Sequence, residues 1–344
     1  MKIAIHNRDN SFSDRWVAYC EVENIEYKIV DCYDSEIIAQ LQDCDALMWH
    51  FNHINAKDTL FAKQLIFSLE HAGKVVFPDF KTAWHFDDKV GQKYLLESIN
   101  IPLVPTYVFY SKESAIKWLN ETDYPKVFKL RGGAGSSNVS LIGNKKTAFK
   151  IVNRAFGKGF KQYDSLNGLK ERWRKYKLGK TNFNDVLKGL VRFVYPSDFT
   201  KISGSECGYV YFQDFIEGND CDYRVIVIDS KAFAIKRMTR ENDFRASGSG
   251  KLLYNKELFD IKLIETAFEL TEKIKSKCIA YDFIYENNIP KVVEISYGFS
   301  KKGYDACEGY WDNELKWNGG KFDFCSWMVE SVIKSINSKN EAVR

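Results

Sequence analysis

The chain has 344 residues, of which 45% are hydrophobic and 28% are charged, and its formal net charge is +4. These values are ordinary for a globular protein, and a charge this small does not by itself indicate a nucleic-acid partner. No apolar run approaches the roughly 18 residues that a membrane span needs. At this length we expect about two or three subdomains, because a single core rarely grows so large.

The first eighty or so residues alternate short apolar strands with helical patterns, which is typical of a parallel α/β sheet. Strands are predicted at 3–6, 27–31, 46–50 and 75–77, and helices at 12–24, 36–42 and 58–71. Gly73 stands where the third helix would end. Ligands of such sheets lie at the carboxyl ends of strands, so residues 6–9 and 50–53 are candidates for binding.

Asp87, Asp88 and Lys89 open the next predicted helix, which runs to about Ser98. Paired aspartates favour a helix N-terminus because they cap free N–H groups and suit the helix dipole. Residues 101–106 contain two prolines and are predicted to be an extended connector.

A glycine- and serine-rich loop follows an apolar strand at 126–130 that carries Lys129, and a second strand follows at 139–142. Glycines let the backbone approach a ligand and turn N–H groups toward it, and a lysine charge suits a phosphate. A strand after the loop argues against the Walker and Rossmann motifs, which require a helix there. Taken alone, the pattern fits a plain hairpin loop equally well.

Residues 156–207 form a basic section that we predict to be largely helical, with ten lysines and arginines between 158 and 192. One interpretation is a solvated helical face, and the other is a surface for an anionic polymer or a pyrophosphate-linked carrier. The spacing of Tyr163, Trp173 and Tyr176 favours packing of this insert onto the body over stacking on sugars or bases.

The second half of the chain reads as a series of strands, loops and one final helix. Strands are predicted at 211–216, 225–228, 234–237, 280–283 and 292–296, a loop at 242–250, and an amphipathic helix at 324–336. The polar residues 338–344 are expected to be frayed. The N-terminus lacks a signal-peptide pattern and the eight cysteines contain no Cys-x-x-Cys pair, so we predict reduced thiols and a cytoplasmic location.

In this order, the segments between roughly 75 and 300 resemble the ATP-grasp superfamily, which includes D-alanine–D-alanine ligase, glutathione synthetase and biotin carboxylase. A weaker resemblance links the Gly-Tyr-Trp-Asp run near residue 310 to ATP-grasp proteins of bacterial surface-polysaccharide clusters. The resemblance implies an α/β (α+β) fold with a parallel α/β domain at 1–88 and a two-subdomain ATP-grasp module with antiparallel sheets. The small subdomain would comprise 89–210, with the glycine loop and the insert, and the large one 211–344, with the metal site and the last helix.

By resemblance, ATP would lie between the two antiparallel sheets, with Lys129 toward the α-phosphate and the adenine and with Lys89 on another phosphate. A glutamate commonly stands at the position of Gln213, whose amide keeps an acceptor for the adenine amino group. Asp220 would accept hydrogen bonds from both ribose hydroxyls. The residues implied to bind the nucleotide are Lys89, Lys129, Gly133, Gly135, Ser136, Ser137, Gln213, Asp214, Phe215, Ile216, Asp220 and Lys236.

Asp282 and Glu294 match the metal-binding acids of the superfamily. Each acid is flanked by apolar residues on neighbouring strand patterns, and two such acids repel unless a cation lies between them. Oxygen ligands beside a triphosphate favour Mg²⁺. An asparagine is usual two residues after the glutamate, but Ser296 stands here, so the geometry of a second metal is open.

Arginines on the central strands and in the 242–250 loop match those that steady an acyl-phosphate in the peptide-forming branch. Arg224 and Arg245 are candidates for neutralising transition-state charge, and Arg237 for binding a substrate carboxylate.

The resemblance therefore implies an ATP- and Mg²⁺-dependent carboxylate–amine ligase that works through an acyl-phosphate. The weaker resemblance suggests a surface-glycan precursor as one substrate and an amino acid or amino sugar as the other. An ATP-grasp phosphotransferase acting on a sugar or carrier, and a nucleotide-binding protein without turnover, remain open. We expect no nucleic-acid partner and no membrane span, and a homodimer is left open.

Overall fold

The structure is a computed structural model. It describes residues 1–52, 55–133, 138–161, 181–194, 204–241 and 243–343, and a few single positions between 162 and 203. A four-stranded parallel sheet and two antiparallel sheets of four and seven strands organise this part of the chain, which confirms the predicted fold class.

The first sheet is parallel, with the strand order β2-β1-β3-β4. Its strands are β1 (Lys2–His6), β2 (Glu26–Val30), β3 (Ala46–Met48) and β4 (Val75–Phe77). The helices between them are α1 (Ser13–Val22), α2 (Ile37–Gln40) and α3 (Ala56–His71). These elements confirm the predicted alternation of strands and helices.

The local sequence explains where these elements end. The Asn55 side chain accepts a hydrogen bond from the Lys57 N–H and caps α3. After α3 the chain turns at Gly73, whose φ of 80° is accessible to glycine without strain. Consecutive residues Ile3, Ala4 and Ile5 of the central strand are all buried, as expected for a parallel sheet covered on both faces.

Two helices, α4 (Phe80–Ala83) and α5 (Lys89–Ser98), lead from the first sheet to the second. The Asp88 side chain caps α5 by accepting a 2.9 Å hydrogen bond from the Gly91 N–H, which confirms the predicted helix start. The predicted extended connector follows and pairs with the third sheet through Leu103 and Val292.

The second sheet is antiparallel, with the order β5-β10-β6-β7. Its strands are β5 (Thr106–Phe109), β6 (Lys126–Lys129), β7 (Val139–Ile142) and β10 (Val210–Asp214). Helices α6 (Lys112–Glu121) and α7 (Lys145–Ala155) cover one face, with Phe128 and Phe212 in the core beneath them. The insert begins and ends at a two-stranded sheet, β8 (Phe160–Lys161) and β9 (Ser205–Glu206), and contains α8 (Phe183–Val194).

The third sheet is antiparallel, with the order β15-β14-β11-β12-β16-β17 and with β13 paired to β12. Its strands are β11 (Cys221–Ile228), β12 (Lys231–Met238), β13 (Leu252–Leu253), β14 (Cys278–Glu286), β15 (Ile289–Ser296), β16 (Gly309–Asp312) and β17 (Trp317–Gly319). Helices α9 (Ile261–Ile274) and α10 (Phe324–Val343) complete the fold.

The last helix joins the first sheet to the third. Phe324, Met328 and Val332 of α10 share one hydrophobic core with Ile5 of β1 and Ile226 of β11. This helix continues to Val343, so the prediction that it ends at residue 336 is wrong. The expected fraying of the tail stays a prediction. The added turns contact the body, because the Lys339 ammonium donates a hydrogen bond to the Gly73 carbonyl.

The predicted division into 1–88, 89–210 and 211–344 remains a prediction. Strand β10 crosses the second of these boundaries and belongs wholly to the second sheet. Of the helices described, none combines the length and the apolar character that crossing a bilayer requires.

Candidate active site

A cavity of about 230 Å³ lies between the second and third sheets. Its walls come from β6 and β10 on one side and from β11, β12, β14 and β15 on the other. Most of the site residues predicted from the sequence line this cavity. They are Lys89, Lys129, Gly133, Gln213, Asp214, Phe215, Ile216, Arg224, Arg237, Arg245, Asp282, Glu294 and Ser296.

Lys89 is a buried cation at the first turn of α5. Its Nζ lies 3.2 Å from Glu294 Oε1 and donates a 3.0 Å hydrogen bond to the Gly133 carbonyl. Burial acts to lower the pKa of Lys89, but the carboxylates of Glu294 and Asp87 outweigh it and raise the pKa above its ordinary value. The ammonium is therefore charged at neutral pH and ties the glycine loop to β15.

Lys129 is buried on β6 and has a neutral partner. Its Nζ donates a 2.6 Å hydrogen bond to Gln213 Oε1 on β10. Burial, together with the nearby charge of Lys89, lowers the pKa of Lys129 to about 8 even though Glu294 opposes the shift. The Gln213 amide is fixed from its other end, because its Nε2 donates to Thr106 Oγ1 at 3.0 Å.

The two predicted metal-binding acids are direct neighbours. Asp282 of β14 pairs with Glu294 of β15 in the antiparallel register, and both side chains line the cavity. Ser296 also lines it and donates a 2.8 Å hydrogen bond to the Gly298 carbonyl.

Two arginines hold Asp282. Two nitrogens of Arg224 contact its carboxylate, and the Nη2–Oδ2 distance is 2.7 Å. The Nη2 of Arg237 lies 2.8 Å from the same Oδ2 atom. Burial alone would raise the pKa of Asp282, but the guanidinium charges hold it well below the ordinary value. Arg237 also makes a two-nitrogen contact of 2.6 Å with Asp222. Two cations and two anions thus form one buried chain across β12, β11 and β14.

Arg245 enters the cavity from the 242–250 loop. Its guanidinium contacts Asp243 of the same loop, with an Nη2–Oδ2 distance of 2.6 Å. Beside it, the Phe244 ring meets Phe215 edge-on at a centroid distance of 5.7 Å. The loop therefore closes over the strand end that the sequence assigned to adenine.

The start of the glycine loop is fixed by side chains. Gly133 has a φ of 110°, and its N–H donates a 2.8 Å hydrogen bond to Asp87. The Arg131 N–H donates to Glu206 at 3.1 Å and to the Tyr209 hydroxyl at 2.7 Å. The predicted phosphate-contacting residues Gly135, Ser136 and Ser137 lie outside the described residues.

Two predicted residues are not brought into the cavity. Asp220 is exposed and absent from the lining, whereas its neighbour Asn219 is part of it. Lys236 points to the other side of β12, where its ammonium lies 5.3 Å from the Tyr223 ring centroid. The roles assigned to all these residues from the sequence remain predictions.

Three acids at or beside the site are not among the residues predicted from the sequence: Asp87 and Asp222, which line the cavity, and Glu206, which holds the start of the glycine loop. A signal was available for Asp222, because residues two apart on a strand share a face and Arg224 was already a candidate. Asp87 and Glu206 act on loop N–H groups from distant segments, and no spacing in the sequence indicates that.

The chain matches no protein-family model, and no curated protein matches it. Solved structures do match it. D-alanine–D-alanine ligase from Bacillus anthracis, complexed with ATP, superposes with a TM-score of 0.57 at 12% identity over 98% of this chain and 99% of that one.

Two further structures show the same architecture. A RimK domain ATP-grasp protein from Sphaerobacter thermophilus gives a TM-score of 0.52 at 15% identity, covering 86% of this chain and 90% of its own. The second is the biotin carboxylase domain of 2-oxoglutarate carboxylase from Hydrogenobacter thermophilus, complexed with MgADP and bicarbonate. It gives a TM-score of 0.58 at 14% identity, covering 96% of this chain and 69% of its own. The chain therefore has the ATP-grasp fold that its sequence predicted.

Proposed function

We propose that this protein is an ATP-dependent ligase that joins a carboxylate to an amine through an acyl-phosphate. The observation that carries the proposal is the cavity between the two antiparallel sheets, where buried lysines meet a chain of arginines and carboxylates. Such a site favours chemistry in which charge on phosphate is neutralised and reactants are positioned. Cys221 lines the cavity, but burial raises the pKa of its thiol, which argues against a cysteine nucleophile.

The nucleotide would lie with its base against residues 213–216. Backbone groups there would pair with the adenine edge, and Phe215 and Phe244 would supply apolar walls. Lys129 and Lys89 both line the cavity and would contact phosphates of the nucleotide. Asp220 or its neighbour Asn219 would take the ribose hydroxyls.

The donor set fits Mg²⁺ held jointly by protein and nucleotide. Mg²⁺ is usually bound by one or two carboxylates together with substrate phosphates and water. Glu294, with Asp282 opposite it and Ser296 nearby, would hold the ion, although the Asp282 oxygens are already shared with two arginines. When bound, Mg²⁺ would neutralise phosphate charge as the phosphoryl group transfers.

The bond changes of the proposed reaction are simple. An oxygen of the substrate carboxylate attacks the γ-phosphorus, the bond to the β–γ bridging oxygen breaks, and ADP leaves. The amine nitrogen then attacks the acyl carbon, and inorganic phosphate departs as the C–O bond breaks. Arg224, Arg237 and Arg245 would stabilise the negative charge that develops on the transferred group.

The acceptor substrate would lie toward the first sheet. Arg8, just after β1, is held by the buried Asp58 at 3.1 Å and donates a 2.7 Å hydrogen bond to the His50 carbonyl. An arginine held in place at a strand end is suited to a carboxylate. The finer proposal is that a surface-glycan precursor and an amino acid or amino sugar are the substrates, and that the enzyme acts in the cytoplasm.

Known structures support the nucleotide part of this proposal. The Bacillus anthracis protein named above is a ligase complexed with ATP, and the carboxylase domain is complexed with MgADP. An ATP-grasp phosphotransferase would need the same nucleotide site, so the test must identify the phosphorylated species.

Hydroxylamine provides that test, because it is a general amine that converts an acyl-phosphate to a hydroxamate. The protein would be incubated with Mg-ATP, hydroxylamine and a panel of amino, sugar and hydroxy acids. We expect hydroxamate, ADP and phosphate in equal amounts, and much less of all three with Glu294→Gln. Transfer of the γ-phosphate to a hydroxyl group, with no hydroxamate from any acid, would instead identify a phosphotransferase.

A further inference from the structure

One helix of the insert has a side that packs inward. Val186 of α8 is buried, and the backbone at Gly189 is so close to Arg172 that an added Cβ would lie 2.9 Å from its Cδ. Arg172 also donates a 3.1 Å hydrogen bond to the Asp185 carbonyl. This side of α8 is therefore turned toward the rest of the insert.

On the side of α8 that adjoins Val186, large apolar side chains are partly exposed to solvent. Phe183, Leu187 and Leu190 follow the helical spacing of four and three residues, and each is 45–50% exposed. The exposed rings of Tyr176 and Trp173 extend the stripe, with centroid distances of 5.6 Å from Phe183 to Tyr176 and 5.9 Å from Tyr176 to Trp173. We call these five residues the insert face.

The segment of sequence that carries the insert face is rich in positive charge. Residues 158–192 contain ten lysines and arginines and three acidic residues, a net charge of +7. The whole chain carries only +4, so the remainder is net negative at −3. Lys177 is exposed, with its ammonium 5.9 Å from the Trp173 ring centroid. Lys188 of α8 is also exposed, and its ammonium lies 3.7 Å from the Asp185 carboxylate.

We propose that the insert face docks on an anionic phospholipid surface, with its apolar side chains in the headgroup–acyl boundary and its lysines on the lipid phosphates. A helix with an apolar stripe, aromatic residues and flanking cations is the arrangement that binds at a membrane interface without spanning it. A soluble polyanion would use the cations but would leave Phe183, Leu187 and Leu190 in water. The apolar stripe therefore favours lipid over a soluble polymer.

The insert begins and ends next to the glycine loop. The insert closes at the pairing of β8 with β9, and Glu206 of β9 accepts hydrogen bonds from the N–H groups of Arg131 and Gly132 at the start of the glycine loop. The chain therefore enters and leaves the insert beside the start of this loop. The inference does not depend on the proposed reaction, because docking requires no turnover.

Vesicle flotation of the full chain tests the proposal. We expect binding to vesicles of equal phosphatidylglycerol and phosphatidylcholine, little binding to phosphatidylcholine alone, and weaker binding as salt rises. The triple variant Phe183→Ser, Leu187→Ser, Leu190→Ser should lose at least about tenfold in partitioning. The matched control changes three apolar residues of similar exposure elsewhere, Ile29→Ser, Leu60→Ser and Phe67→Ser, and should bind normally.

A charge variant distinguishes electrostatic attraction to the lipid headgroups from insertion of the apolar side chains. Lys177→Gln with Lys188→Gln should lower partitioning about fivefold for each lost charge, whereas Lys112→Gln with Lys117→Gln on the exposed side of α6 should not. Circular dichroism melting curves verify that every variant is folded. Failure of the folded wild type to bind the anionic vesicles overturns the proposal. Undiminished vesicle binding by the apolar triple variant, with displacement by soluble polyphosphate, would also overturn it and would identify a polyanion site.

Discussion

Lys129 donates a 2.6 Å hydrogen bond to Gln213, so a buried lysine of the cavity has an uncharged amide as its nearest partner. A carboxylate at residue 213 would neutralise this ammonium, but an amide only accepts its hydrogen bond. The low pKa of about 8 follows from burial without a charged partner. The protonation state of Lys129 should therefore change when an anionic ligand binds in the cavity.

We expect nucleotide binding to be coupled to proton uptake above pH 8. At pH 9 the free protein holds Lys129 mostly neutral, and phosphate charge beside it would raise its pKa and draw a proton from solvent. Calorimetric titration with Mg-ATP in buffers of different ionisation enthalpy should show uptake approaching one proton at pH 9 and little at pH 7. Lys129→Gln should lack this component, and equal uptake by both proteins would contradict the placement of Lys129 at the phosphates.

The strand end at residues 213–216 is expected to distinguish adenine from guanine. Mg-ATP and Mg-GTP carry identical phosphates, so a difference between them isolates the base. A ligand that binds only the folded state raises the melting temperature by mass action. In differential scanning fluorimetry we predict a larger rise in melting temperature with Mg-ATP than with Mg-GTP. Equal rises would contradict the assignment of residues 213–216 to adenine.

Glu294→Gln should abolish most turnover while leaving the protein folded. The substitution removes a charge from the proposed magnesium site. The buried Lys89 loses its ion pair with Glu294 but keeps the nearby Asp87 carboxylate and its hydrogen bond to the Gly133 carbonyl, so we expect the fold to persist. The control is Glu265→Gln on the exposed side of α9, which should retain full activity. Near-normal ATP consumption by Glu294→Gln with a competent substrate pair would show that the metal assignment is wrong.

Asp282→Asn should behave differently from Glu294→Gln, although the sequence alone gives the two acids equivalent roles. Asp282 compensates both Arg224 and Arg237 in a buried setting. Removing its charge should lower the free energy of unfolding by about 3–5 kcal/mol as well as reduce turnover. Urea denaturation measures the loss of stability, and a loss under about 1 kcal/mol would mean that the arginines are compensated by other groups.

His85 should make the protein sensitive to acid. It is fully buried, neither ring nitrogen has a hydrogen-bond partner in the described part of the chain, and burial lowers its pKa to about 3. As the pH falls below 6.5, the His85 ring is therefore protonated in the unfolded state but stays neutral in the folded state. Stability from this group is present above pH 6.5 and falls by about 1.4 kcal/mol per pH unit as the pH drops from 6.5 toward 3.

His85→Leu should remove that part of the pH dependence, whereas His71→Leu at an exposed position should not. The comparison needs unfolding free energies between pH 4 and 7 for the wild type and both variants. Parallel pH profiles for the wild type and His85→Leu would contradict the account.

The order of elements and most of the cavity lining could be predicted because they depend on local pattern. Alternating strands and helices indicated the parallel sheet, and Lys129, Asp282 and Glu294 were identifiable as charged residues in apolar strands. The sequence also placed Lys89 at the start of a helix, where the Asp88 cap fixes it.

The remainder depends on contacts between distant segments. Lys236 and Arg237 are adjacent basic residues, but strand alternation sends one to each face, and nothing local indicates which face meets the cavity. The pairing of Arg237 with Asp222 and Asp282 joins three strands and appears only once their register is known. The length of α10 was underestimated because its last turns are polar and exposed and carry no apolar stripe; the Lys339 hydrogen bond to the Gly73 carbonyl joins them to the loop before β4.

The most direct test of the central claim is a crystal structure with Mg²⁺ and a non-hydrolysable ATP analogue. We predict the adenine against residues 213–216, the ion at Glu294, and Lys129 on a phosphate oxygen in place of Gln213. A nucleotide bound outside this cavity, or one bound inside it with Lys129 still on Gln213 and no ion at Glu294, would contradict the account.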